Sequence, residues 1–148
     1  MADSDFVRDD IVRQYGVSAG KVVTIPLASS LGFHARPTQQ FCDDLRARRH
    51  LPDAFALYPA MTNGHKNHAP LLDAVAALRD AGRIVHVVCS GRQAHVWPSI
   101  QQRLHDLRLE DQVRFTGFIS AAELLALYRL AQFVVFPGLF EGGRLPVV

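Results

Sequence analysis

The chain has 148 residues, 49% hydrophobic and 20% charged, a balance that excludes a disordered segment and gives length enough for one packed core. Sixteen Lys and Arg against fourteen Asp and Glu leave a formal charge of +2, too little to point to nucleic acid through bulk electrostatics. The two cysteines, Cys42 and Cys89, have no framework spacing, so a reduced, cytoplasmic setting is expected.

The opening MADSDFVRDD is acidic and polar, unlike a secretory leader. Phe6, Val7, Ile11 and Tyr15 lie at helical spacing, and Gly16 follows as a stop. KVVTIP predicts a short strand closed by Pro26, and residues 27–36 predict a loop. Residues 37–49 predict a helix with Pro37 in its first turn and with Phe41 and Leu45 on one face; Arg46, Arg48, Arg49 and His50 make a cationic helix end. AFALYP predicts a strand and AMTNGHKNH a polar loop. Asn67 is placed to cap a helix whose buried stripe is Leu71, Val75 and Leu78 and which ends at Gly82. RIVHVVC predicts a buried strand with His86 in its middle, and a helix follows over about 95–107. VRF is a short strand, Ser120 and Glu123 have capping-box spacing, and Leu124, Leu127, Tyr128 and Ala131 mark the next helix. FVVF is the last strand. Strands alternating with helices in this way predict an α/β fold, a Rossmann-like parallel sheet flanked by helices. The most apolar region, 124–140, is broken by Arg129, Gln132 and Pro137, so no bilayer span is expected.

In such a sheet the loops after the strands converge on one edge, where ligands bind. Here those loops are AMTNGHKNH, SGRQ, TGF and PGLFEGGRLP. Lys66 stands just before a helix start, a pairing of cation and free N–H groups that suits phosphate. Gly91 and Gly117 close their strands where the backbone turns or approaches something closely. His65 and His68 form an H-x-x-H without an evident third ligand, so a metal site is not expected; Trp97, the single tryptophan, is assigned to packing. The Rossmann dinucleotide fingerprint, the Walker loop and the nucleophile elbow are all missing.

Taken in order, YPAMTNGHKNHAPLLDAVAALRDAG, VHVVCSG and VRFTGFISAAELLALYRLAQFVVFPGLFEGGRLPVV resemble successive blocks of the C-terminal domain of the retaining group 1 (GT4) glycosyltransferases, which have the GT-B fold. SDFVRDDIVRQYGVSAGKVVTIPLAS resembles that family's inter-domain crossing. The resemblance implies three parts: a crossing with the first helix and strand at 1–26, an irregular connection with one helix at 27–53, and a nucleotide-sugar-binding α/β domain at 54–148. It implies a UDP- or GDP-linked sugar as donor substrate and no metal or other cofactor. Lys66 would neutralise the diphosphate, Gly91 and Gly117 would lie near the nucleotide, and Phe118 and Ile119 would border the base. Glu141 opens the family's E-x7-E motif and would meet the donor sugar; the backbone from Gly142 through Gly143 and Arg144 to Leu145 would face the diphosphate. Two departures stand out: Met61 occupies the place of a common arginine, and Arg144 that of a glycine. The second glutamate of the motif would follow Val148, so the resemblance also implies an inactive fragment, lacking an acceptor-binding N-terminal domain and the closing helices. Peripheral membrane contact of the whole enzyme is left open. The alternative is a non-catalytic nucleotide-sugar-binding or scaffold module completed by a separate chain.

Overall fold

A computed structural model describes residues 1–26 and 36–140. They fall into two compact units, 1–26 with Phe140 and 36–139. In the first, α1 (Asp5–Tyr15) starts at Ser4, whose hydroxyl accepts from the Val7 amide, and stops at Gly16 with φ 63°. None of its residues is buried. The strand expected in KVVTIP does not form. The segment makes one parallel bridge between Ala2 and Thr24, held by Ala2 N–H to Val23 O and Ile25 N–H to Ala2 O at 3.0 and 2.8 Å. A β-prone sequence becomes a strand only where a partner runs alongside, and here Ala2 is the partner.

The second unit begins with α2 (Gln39–Arg49). Its cap is Thr38, which accepts from Phe41 N–H, so Pro37 lies before the helix rather than in its first turn. A sheet follows, built from β1 (Ala56–Pro59), β2 (Val87–Ser90), β3 (Val113–Phe115) and β4 (Phe133–Val134), all parallel, in the order β3-β2-β1-β4. Between them run α3 (His68–Asp80), α4 (Trp97–Asp106) and α5 (Ala121–Leu130). β2 is shorter than RIVHVVC suggests, and His86 precedes it, offering its carbonyl to Ala56 N–H. β4 is short as well, although Val135 N–H still reaches Leu57 O at 2.9 Å. Pro137 follows two residues on and cannot donate to a ladder.

Alternation along the strands divides the core in two. Ala56, Tyr58, Val87, Cys89 and Val113 face Leu72, Val75 and Ala76 of α3 and Ile100 of α4. Phe55, Leu57 and Val88 face the other way, against Cys42 and Leu45 of α2 and Ala126 and Leu127 of α5. The result is a helix–sheet–helix sandwich. The helix near residues 39–49 therefore shares a core with the strands that follow it. The buried stripe of α3 is Leu72, Val75 and Ala76 with His68, rotated from the expected Leu71–Val75–Leu78. The capping box of α5 forms as its spacing predicts, Ser120 Oγ accepting from Glu123 N–H and the Glu123 carboxylate accepting from Ser120 N–H. Among the described residues no helix is long and apolar enough to cross a membrane.

Candidate functional site

The strand order carries a reversal. The chain steps outward from β1 through β2 to β3, then crosses back to pair β4 with the other side of β1. In open parallel sheets the crevice beyond the carboxyl ends at such a reversal is where ligands bind. Four loops meet at this edge, and hydrogen bonds tie them together in the order of the strands. Gly91 N–H donates to Gly117 O at 2.9 Å, joining the exits of β2 and β3. Thr62 N–H donates to Arg92 O at 3.1 Å, and Ala94 N–H donates to Thr62 Oγ1 at 2.7 Å, joining the exits of β1 and β2. Leu139 N–H donates to His65 O at 2.9 Å, and Asn67 Nδ2 donates to Pro137 O at 3.0 Å, joining the exits of β1 and β4.

Lys66 sits in this rim, half-buried, as the last residue of a 3₁₀ turn (Gly64–Lys66) that runs into α3. Its carbonyl accepts from Tyr58 Oη at 2.5 Å and its N–H donates to Asn63 O at 3.0 Å. The backbone beneath the cation is thus anchored to a buried aromatic of β1. Asn67 does not cap α3 with its side chain. It takes the left-handed conformation, φ 61°, and spends its amide on Pro137 instead. Pro70 has no N–H and the Leu71 N–H reaches Asn67 O at 3.4 Å, so the His68 and Ala69 N–H groups are those at the α3 start without a side-chain cap, the state in which a helix start accepts an anion.

His68 opens α3 and is only 2% exposed. Its ring lies 4.7 Å from Tyr58 and 6.0 Å from Phe115, centroid to centroid, and neither ring nitrogen has a hydrogen-bond partner of regular geometry. Burial pushes its pKa down to about 4; the Ala60 carbonyl opposes this in part and the Lys66 charge adds to it. At neutral pH it is an uncharged member of the aromatic packing under the rim, set apart from the exposed His65.

Gly91 has φ 142°, and a Cβ there would stand 2.6 Å from the Ala60 carbonyl group and 2.8 Å from Met61 N. The protein's own backbone therefore requires glycine at this position. Gly117, with φ 70°, has open space around it. Phe118 is 77% exposed at the rim, whereas Ile119 packs on the core formed with Cys42 and Leu45, so of this pair only Phe118 faces outward. Trp97 packs edge-on against Phe115, as expected. Lys66, Gly91, Gly117 and Phe118 thus belong to one edge, with Met61 exposed beside them. Glu141, Gly142, Gly143, Arg144 and Leu145 lie outside the described residues. Thr62, Asn67 and His68 are structural members of the site that pattern reading did not single out for these roles. The αL demand after a turn was the one available signal, at Asn67.

The family described as glycosyl transferases, group 1, matches residues 55–148. The chain belongs to that family. Against the O-antigen chain mannosyltransferase B of Escherichia coli, this group 1 chain is 27% identical over 146 residues, covering 98% of itself and 38% of that protein. It superposes on a glycosyltransferase of Rickettsia africae with a TM-score of 0.79 at 17% identity, covering 93% of this chain and 37% of that one. It superposes equally on Anabaena HepE, crystallised with UDP and glucose, at 18% identity and covering 95% and 38% of the two chains. The fold is that of the C-terminal, Rossmann-like half of GT-B glycosyltransferases. The chain spans well under half the length of the relatives it matches.

Proposed function

We propose that this chain forms the donor-binding part of a retaining glycosyltransferase that takes a nucleoside-diphosphate sugar. The observation that carries the reading is the rim itself: four strand exits tied into one edge at the sheet reversal, with Lys66 at the uncapped start of α3. The relative that superposes at 0.79 was crystallised with UDP and glucose, and the curated relative is a mannosyltransferase, so UDP and GDP are the nucleotides to test first.

The chemistry follows from charge. When the bond from the anomeric carbon to the diphosphate breaks, negative charge grows on the departing oxygen. Lys66 and the N–H groups of the α3 start are fixed before that moment, so they stabilise the leaving group more than the intact donor. The base lies toward Gly91, Gly117 and Phe118. By the family's E-x7-E motif, Glu141 is assigned to the donor sugar and Gly142–Leu145 to the diphosphate. An acceptor-binding domain supplies the nucleophile, so the isolated chain binds nucleotide weakly and transfers no sugar.

Titration calorimetry with UDP, GDP, uridine and guanosine tests this. We expect millimolar-range binding of a diphosphate. Lys66→Ala should weaken it about tenfold or more, as expected for a bond to a charged group worth roughly 1.5–3 kcal/mol, and leave the nucleosides nearly unaffected. Equal losses for uridine and UDP would place Lys66 away from the phosphates.

A further inference from the structure

We infer, on the donor-site reading above, that Asn67 is a positioning residue that sets Lys66 against the segment leaving β4. Both sequence neighbours of Lys66 are bonded to that segment. On one side His65 O accepts from Leu139 N–H at 2.9 Å; on the other Asn67 Nδ2 donates to Pro137 O at 3.0 Å. In the chain, Lys66 therefore stands between two stitches that cross from the β1 exit to the β4 exit at the sheet reversal. The first stitch is backbone to backbone and indifferent to side chain. The second depends wholly on Asn67.

Asparagine is the residue this position selects. The backbone is left-handed, φ 61°, which glycine, asparagine and aspartate tolerate best. Of those three, glycine has no side chain to reach Pro137, and an ionised aspartate would set oxygen against the carbonyl oxygen. Asparagine alone combines the conformation with an N–H donor. Its bond spans 70 residues of sequence, so it holds two loops that nothing local would keep in register. When a diphosphate draws on Lys66, the exit of β4 is already in place, and no ordering cost is added at binding.

Asn67→Gly separates the two roles, because glycine keeps the positive φ without strain and removes only the stitch. We expect the variant to fold, to bind UDP or GDP about three- to tenfold more weakly, the range set by one neutral hydrogen bond, and to bind uridine or guanosine as the parent does. Amide hydrogen exchange at Leu139 should quicken in the same variant without any nucleotide. Unchanged diphosphate affinity together with unchanged Leu139 exchange would overturn the inference and leave Asn67 as a conformational residue only. If the parent chain binds neither UDP nor GDP, the donor-site reading falls and the diphosphate role of Asn67 falls with it. Leu139 exchange would then still decide whether Asn67 joins the two loops.

Discussion

His68 shows how one residue couples packing at the site to pH. Its imidazole is buried between Tyr58 and Phe115, and burial first, then the nearby Lys66 charge, hold its pKa at about 4 against an ordinary 6.5. The unfolded chain therefore takes up this proton before the folded chain does. Stability from the neutral ring is complete above pH 6.5 and is lost as pH falls toward 4. A tenfold difference in proton affinity is worth about 1.4 kcal/mol, so the parent should lose about 2 kcal/mol between pH 7 and 5 through this group alone. His68→Leu has no such proton to gain, so its urea midpoint should change less over that interval. Identical pH dependence in the two chains would mean that the ring is solvated or paired in solution. The neighbouring Lys66 is likewise fixed through its backbone, which Tyr58 and Asn63 hold.

Among the elements, α5 is held both by its buried Ala126 and Leu127 and by its capped start. Ser120 and Glu123 close the capping box, and the same Glu123 carboxylate meets Arg49 at 3.1 Å, while Arg49 also donates to Thr116 O. The start of α5, the end of α2 and the exit of β3 are tied together at one point. The cationic end of α2 is therefore not simply a solvated surface: Arg49 is committed to this junction, and Arg46 pairs with Asp53. Ser120→Ala removes the cap acceptor and should cost about 1 kcal/mol, read as a lower denaturation midpoint. Ser120→Thr should recover most of it. A neutral Ser120→Ala would show that the Arg49–Glu123 pair holds the helix start unaided.

Across the larger unit, the two edges of the sheet differ in kind. The carboxyl edge is cross-bonded and glycine-bearing, with Lys66 in company with the exposed Met61 and Phe118. At the amino edge lies a largely apolar groove of about 400 Å³ lined by Phe55, Val75, Leu78, Ile84, Val85 and Phe133, together with Arg83, His86 and Gln132. Phe133 is 53% and Ile84 62% exposed there, and among the described residues β4 pairs only with β1. An apolar groove beside an open strand favours self-association. Sedimentation of the 148-residue chain should show mass rising with concentration, and Phe133→Lys should suppress that rise. Equal behaviour of parent and variant would place the contact elsewhere.

Local pattern in the chain is enough to specify the alternation of strands and helices, the capping box of α5, and the meeting of four glycine-bearing loops at one edge. Each of these is written in nearest-neighbour chemistry: a period of two or of 3.6, a cap at fixed offset, a turn residue after a strand. The same pattern puts Lys66 before a helix start. Packing between distant segments was needed to settle that KVVTIP would not join the sheet, that Gly91 answers to the Ala60–Met61 backbone, and that Ile119 turns into the core. It also settled which polar groups Thr62 and Asn67 would meet. The Thr62 and Asn67 side-chain bonds span 32 and 70 residues. A polar side chain's partner is set by which distant segment packs beside it, and local periodicity holds no record of that. The chain placed Asn67 at the start of α3 as a cap, but its left-handed turn and the Pro137 carbonyl that its amide reaches could be found only once β4 lay beside β1.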